Sequence, residues 1–521
     1  MLLAVAIASL AVLFGLLLGL APAASRRALG PLRTLALTAV IGVVALHLLP
    51  EALRDLGAVG LLVFAIGLAL PRWLNALRAK RPHAHGEHEH ARGDELGLDL
   101  GFFGLLAHHV GDGLALGAYS RAGATHGHPH GDVLLALVLH TVPLVAVVAA
   151  GYARTRGVRV AVTRAAWLAV ASIVGVLCSH LVPESIVDRT TAWIAAGVSG
   201  LLLHGLTHDL ELDLPRAPAA KSFDLAMALL GAAVGILGAK LGAHADRAAE
   251  ARLRLALLTE LDRVAVPLAC GLALGALLAL GRSPKVVSLL GFYRRASRPE
   301  RGGVLTPEAF LLTLSHFGFP IAVLRDAVSG IGFALRGASP EEALEDATIG
   351  ASSAGSASAE SAVTSAVPSA FARVDTIVPW AALGVLVSAV IRASVPDFAL
   401  ASSLWLAIPV AILLTLSVKV HAVAAPSLAY ALADRGLPMP AAIVALVLLP
   451  FALDLRNGKQ ALFLLIPVAF AFALGDRLPH APLVIDSRIA LVAASGIGAL
   501  LLARSYELGF RGVLLTILKF D

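Results

Sequence analysis

Long apolar runs, broken by Arg, Pro and Gly, recur along the whole chain. In the first 245 residues they cover 2–20, 33–53, 57–71, 98–119, 132–152, 163–183, 190–208 and 223–242. A helix rises about 1.5 Å per residue, so each run reaches, or nearly reaches, across a hydrocarbon layer of about 30 Å. Eight membrane helices are predicted there. A charged, helix-prone segment, 244–262, follows as a connector. A second apolar block then gives spans at 264–281, 305–324, 377–395, 399–417, 420–433, 439–454, 460–475 and 489–503. The predicted fold class is all-α: a polytopic transmembrane protein with one helical bundle in 1–243 and a second in 263–521.

Composition supports a membrane protein. Hydrophobic residues make up 58% of the chain and charged residues 15%, against about 45–50% and about 25% in soluble domains. A single large core cannot absorb the surplus, because soluble cores stop growing at about 250–300 residues. The formal charge of +6 is unevenly spread. Fourteen Arg and Lys fall in the loops at 26–33, 72–92, 154–164 and 216–221, and only Arg54, Arg121 and Arg189 fall in the alternate loops. Basic loops stay cytoplasmic, so the N-terminus is expected outside. The charge therefore reports topology, and no nucleic-acid partner is expected. The lipid bilayer is the expected surrounding, and the bacterial inner (plasma) membrane the expected location. Nothing basic precedes Arg26, so 2–20 reads as a first span and not as a signal peptide. Cys178 and Cys270 lie in apolar stretches and read as small buried hydrophobes.

The chemistry lies in titratable groups inside the helices of the first half. The fourth run contains His108-His109-Val-Gly-Asp112. Four residues apart, His108 and Asp112 share one helix face, and imidazole with carboxylate is a common Zn²⁺ ligand pair. Gly111, Gly113 and Gly117 would let a helix or an ion come close. His47-Leu-Leu-Pro-Glu51 ends the second run, and His180-Leu-Val-Pro-Glu184 ends the sixth. A proline there frees a backbone carbonyl and can open a polar face. Such groups near helix ends could instead be interfacial caps. Mid-span groups are costly in lipid and mark a pathway for ions or protons. His140 on the fifth run and His204 with His208 on the seventh add to the set. Two His-rich loops, His83 to His90 and His126 to His130, suit weak, exchangeable metal binding or are solvated polar loops.

These residues resemble the ZIP family of zinc and iron transporters over about residues 1–243. The specific match is His108-His109-Val-Gly-Asp112-Gly-Leu-Ala-Leu-Gly, similar to that family's helix-four signature. The resemblance implies an eight-helix ZIP-like bundle with an external N-terminus. It also implies His108 and Asp112 as primary ligands, His109 as a ligand of an adjacent second site, and contributions from His140, His180, Glu184, His47 and Glu51. The fifth helix departs from the pattern: after His140 come Thr141, Val142 and Pro143, where the family places further His and Glu. That puts a two-metal site in doubt and leaves a one-metal site. The second half looks, more faintly, like two-repeat permeases that include arsenical and copper/zinc efflux proteins, on a duplicated hairpin pattern and the run 426–440. Within it, 261–271 resembles 374–384, and 337–343 resembles 436–442. Lys419 could hold an anion or snorkel.

The expected function is transport of divalent metal, Zn²⁺ foremost, with Fe²⁺, Mn²⁺ or Cd²⁺ as alternatives. No prosthetic group, no enzymatic motif and no nucleic acid enter the reading, and a homodimer is left open. The alternative is a metal-sensing or scaffold first half that regulates a permease for metal, metalloid or anion.

Overall fold

The structure, a computed structural model, describes 2–20, most of 31–79, 99–117 with gaps, 131–179, scattered positions in 192–203, 218–242, 247–280, 305–336, 359–395, 404–417, 420–451, 463–474 and 477–513 with gaps. All regular structure among these residues is helical. Among the described residues, four helices are long and apolar enough to cross a membrane: Val158–Cys178, Ala220–Leu237, Arg373–Ser394 and Ser487–Leu508. The first is apolar on both faces. Ala161, Ala165, Leu168 and Ser172 are buried against protein, while Trp167, Val170, Val174 and Leu177 are exposed. A helix with an apolar outer face of this size suits lipid and not water. The chain is an integral membrane protein.

Contacts divide the chain into two compact units, Met1–Leu253 with Ala393–Asp397 and Ser505–Leu515, and Arg254–Arg392 with Phe398–Arg504 and Thr516–Asp521. The first unit contains α1 (Leu2–Leu20), α2 (Leu49–Leu56), α3 (Ala58–Ala79), α4 (102–114), α5 (Gly131–Thr155), α6 (Val158–Cys178) and α7 (Pro218–Gly242). Small residues set its packing. On α1, Gly15 and Gly19 lie over the carbonyls of Val142 and Ala146 on α5. Positions 109 and 113 on α4, and 117 just beyond it, face Ser172 and Gly175 of α6 and Ser179 at its C-cap. A methyl group on Gly113 would collide with the Ser172 carbonyl, and one on Gly175 with the Val110 carbonyl.

One polar knot ties the start of this α4 region to the α5–α6 turn. Asp99 accepts from the Tyr152 hydroxyl at 2.7 Å, from both terminal nitrogens of Arg156 at 3.1 and 3.0 Å, and from Arg164 at 3.3 Å. Arg164 also stacks over Phe102, 4.4 Å from the ring centre. The start of α4 and the α5–α6 turn therefore lie at the same end, where the basic-loop pattern puts them together.

The second unit contains α8 (Arg247–Leu280) from Arg254 on, α9 (Pro307–Phe317), α10 (Phe319–Arg336), α11 (Ala359–Ser394) as far as Arg392, α12 (Leu404–Ser417), α13 (Ala425–Asp434), α14 (Met439–Leu448), α15 (Leu465–Leu474) and α16 (Ser487–Leu508) as far as Arg504. It departs from the expected spans in three ways. The charged segment read as a connector and the apolar run after it form one helix, α8. The run 305–324 is broken at Gly318, whose φ of 88° and ψ of 172° close α9 before α10 begins; glycine accepts a positive φ without strain. The runs 420–433 and 439–454 become the ten-residue helices α13 and α14, each only about 15 Å long and too short to span. Residues 347–372 are rich in Ala and Ser, and of these 359–372 are helical and belong to α11.

Helices α8 and α11 run antiparallel. At one end Glu260 accepts from Arg392 at 3.3 Å, and at the other a Cβ on Gly275 would lie 2.8 Å from Nε of Arg373. The two similar segments, 261–271 and 374–384, thus run in opposite directions. Their matching aspartates hold the two ends of α16: Asp262 accepts from Ser487 at 3.0 Å and Asp375 from Arg504 at 2.6 Å. Their matching glycines take the starts of the two short helices, Gly271 against Glu308 and Gly384 against Ala424. Both short helices carry a proline in their first turn and are followed by a positive-φ glycine, Gly318 or Gly436. Segment 337–343 lies outside the described residues. An apolar cluster of Val328, Val444, Val447, Leu448, Phe451 and Phe463 packs α10 against α14.

Candidate functional site

Helix α4 has apolar residues on either side of its charged turn, so the helical period alone stacks His108 beneath Asp112. His108 is 4% exposed, and its Nε2 lies 3.4 Å from Oδ2 of Asp112, which is half-buried. That separation is long for a hydrogen bond. It matches the edge of a zinc coordination tetrahedron: two ligand atoms each about 2.0–2.1 Å from the ion lie about 3.3–3.4 Å apart.

His109 faces another way. Its Nδ1 hydrogen-bonds Oγ of Ser172 at 2.9 Å, and the ring is buried in the α4–α6 contact. Ser172 also donates to the Leu168 carbonyl at 3.3 Å. The resemblance gives His109 to a second metal site, whereas the structure places it among the residues that join two helices.

The other candidates fall at the margins of the described residues. His47 lies in a π-helical turn, Val44–Leu48, that ends two residues before Pro50. Proline supplies no N–H to the preceding turn, and the wider turn absorbs that loss. Glu51 follows in α2 and His140 lies in α5, but the side chains of His47, Glu51 and His140 are outside the described residues. So are His180 and Glu184 entirely, as well as His204, His208, both His-rich loops and Lys419. Among the described residues, no group of three or more His, Cys, Asp or Glu side chains converges.

The second unit holds a buried polar network that sequence reasoning missed. Glu260 is fully buried on α8. Its Oε1 lies 3.1 Å from Nε2 of His316 on α9 and accepts from Ser388 at 2.9 Å. Its Oε2 accepts from Arg392 at 3.3 Å, and Arg263 lies 3.9 Å away. Arg392 continues to Asp434 at 2.9 Å. A second buried carboxylate, Glu308, is held by Arg373 through two contacts of 3.0 Å. Glu308 opens α9, where Thr306 caps the helix by accepting from the Ala309 N–H at 3.1 Å and Pro307 takes the first position. The available signal was Glu260 and Arg263 heading an apolar run, with Arg392 ending another.

Compared with models of protein families, with curated proteins and with solved structures, the chain matches none.

Proposed function

We propose that this chain is a secondary transporter of divalent metal, Zn²⁺ foremost, with the N-terminus outside the bacterial inner membrane. Its cargo would pass through a one-metal site built on His108 and Asp112. The observation that carries this reading is the 3.4 Å spacing of a buried imidazole and a carboxylate, the span of two zinc ligands. Their place between apolar turns of α4 adds to it, since ionisable groups inside membranes mark pathways. The pair supplies two ligands. His140, His180, Glu184, His47 and Glu51 are the proposed sources of the rest, and the π turn at His47 suits a helix that yields as the ion passes. Helices of an eight-helix, ZIP-like bundle would rock to expose the site to each face in turn. The test is zinc flux into proteoliposomes: flux undiminished in His108→Ala/Asp112→Ala sinks the proposal.

The antiparallel α8 and α11 favour a second reading, because inverted helical repeats build transporters. Here the first half binds metal as a sensor or scaffold, and the second is the permease. A chain ending near residue 245 that still moves zinc excludes this alternative.

A further inference from the structure

The hydrogen-bond geometry around His316 determines where its protons must be. Nδ1 lies 2.7 Å from the backbone carbonyl of Leu312. A carbonyl oxygen only accepts, so Nδ1 must carry a hydrogen. Nε2 then faces Oε1 of Glu260 at 3.1 Å, with both side chains fully buried. If the carboxylate were ionised and the ring neutral, two lone pairs would oppose each other in the core. A proton between them removes the conflict, whether it sits on the ring or on the carboxyl group. Ser388 at 2.9 Å and Arg392 at 3.3 Å both donate to Glu260, which favours the ionised carboxylate and so the proton on the ring.

We infer that Glu260 and His316 form a proton-binding site in the second unit. It holds one exchangeable proton and joins α8 to α9 only while that proton is present. The pair is faced from every helix packed on it. Arg263 comes from α8, Ser388 and Arg392 from α11, and Ser427 and Tyr430 from α13, while Asp434 engages Arg392 and lies 3.9 Å from Arg435. Arg263 stacks over Tyr430 at 4.4 Å, and Tyr430 packs edge-on against His316 at 5.5 Å. Oγ of Ser427 lies 3.5 Å from Nε2. When the proton leaves for solvent, that hydroxyl is placed to donate to the bare nitrogen. The histidine would then exchange a tie to α8 for a tie to α13. Loading and emptying of this site therefore changes the partner of His316, while Ser315 keeps α9 on α8 through the Arg263 carbonyl at 2.7 Å. The inference rests on the second unit alone and stands or falls separately from the metal reading of the first.

The test is imidazole ¹⁵N NMR of the full-length chain in lipid, with His316 assigned by loss of its signal in His316→Gln and independently by the shift caused by Ser427→Ala. The ring is expected to carry a hydrogen on Nδ1, with a second proton lying between Nε2 and Glu260, on either group. In Glu260→Gln the doubly protonated form is expected to be lost. A ring with Nδ1 bare, or a titration in Glu260→Gln identical to the unaltered chain, overturns the proposal.

Discussion

His109 is joined to Ser172 across the α4–α6 contact at 2.9 Å, while its sequence neighbour His108 is turned toward Asp112. Adjacent residues on a helix point about 100° apart, so the two histidines meet different neighbours, Ser172 for His109 and Asp112 for His108. Zinc binding, measured by calorimetry on the purified protein, should separate them. His108→Ala or Asp112→Ala is expected to weaken binding by tenfold or more, on the order of the loss of a ligand and its orientation. His109→Gln is expected to change melting temperature more than zinc affinity.

Acid should antagonise the metal. Zn²⁺ needs the imidazole lone pair that a proton would occupy, and it needs an ionised carboxylate. Zinc affinity is therefore expected to fall as pH drops through the range where imidazole protonates, and to be steady on the alkaline side. An affinity that rises on acidification would be inconsistent with ligation by His108.

Gly113 has no room for a side chain, because the Ser172 carbonyl and the Gly175 Cα, 2.9 Å from an added Cβ, occupy the space. Gly113→Ala is expected to lower stability by about 1–3 kcal/mol through overpacking. Gly157, which turns the chain between α5 and α6 with open space around it, has a φ of 91°. Gly157→Ala should cost a similar amount, about 1–3 kcal/mol, from backbone strain alone, because φ 91° with ψ 163° is a region that only glycine occupies readily. Thermal melts of the two variants compare a packing clash with a backbone conformation.

Arg373→Met would leave Glu308 buried without its partner. Removing one member of a buried ion pair costs about 3–5 kcal/mol. Adding Glu308→Gln to Arg373→Met should recover much of that loss, since it neutralises the stranded charge. A double variant as unstable as Arg373→Met alone would show that the contact matters for packing and not for charge.

The helical class and the membrane setting were legible because apolar runs have a length and a period that lipid dictates. The pairing of His108 with Asp112 was legible for the same reason, as residues four apart on a helix are neighbours wherever the helix lies. The role of His109 was not, since it depends on which helix packs opposite, and only Ser172, Gly175 and Ser179 decide that. Glu260 escaped notice because its partners lie 56, 128 and 132 residues away, and no local pattern marks such contacts. The break at Gly318 was hidden in an unbroken apolar run, although Gly318 and Pro320 stood in it.

The wide turn at Val44–Leu48 has a mechanical consequence. A π turn holds one residue more than the α-helical turn it replaces, so it acts as slack in an otherwise taut rod. Shortening the chain by one residue within 44–48 would let the helix close into regular form with the faces before and after it still aligned. The same deletion a turn earlier would twist everything beyond it by about 100°, turning Pro50 out of its buried position.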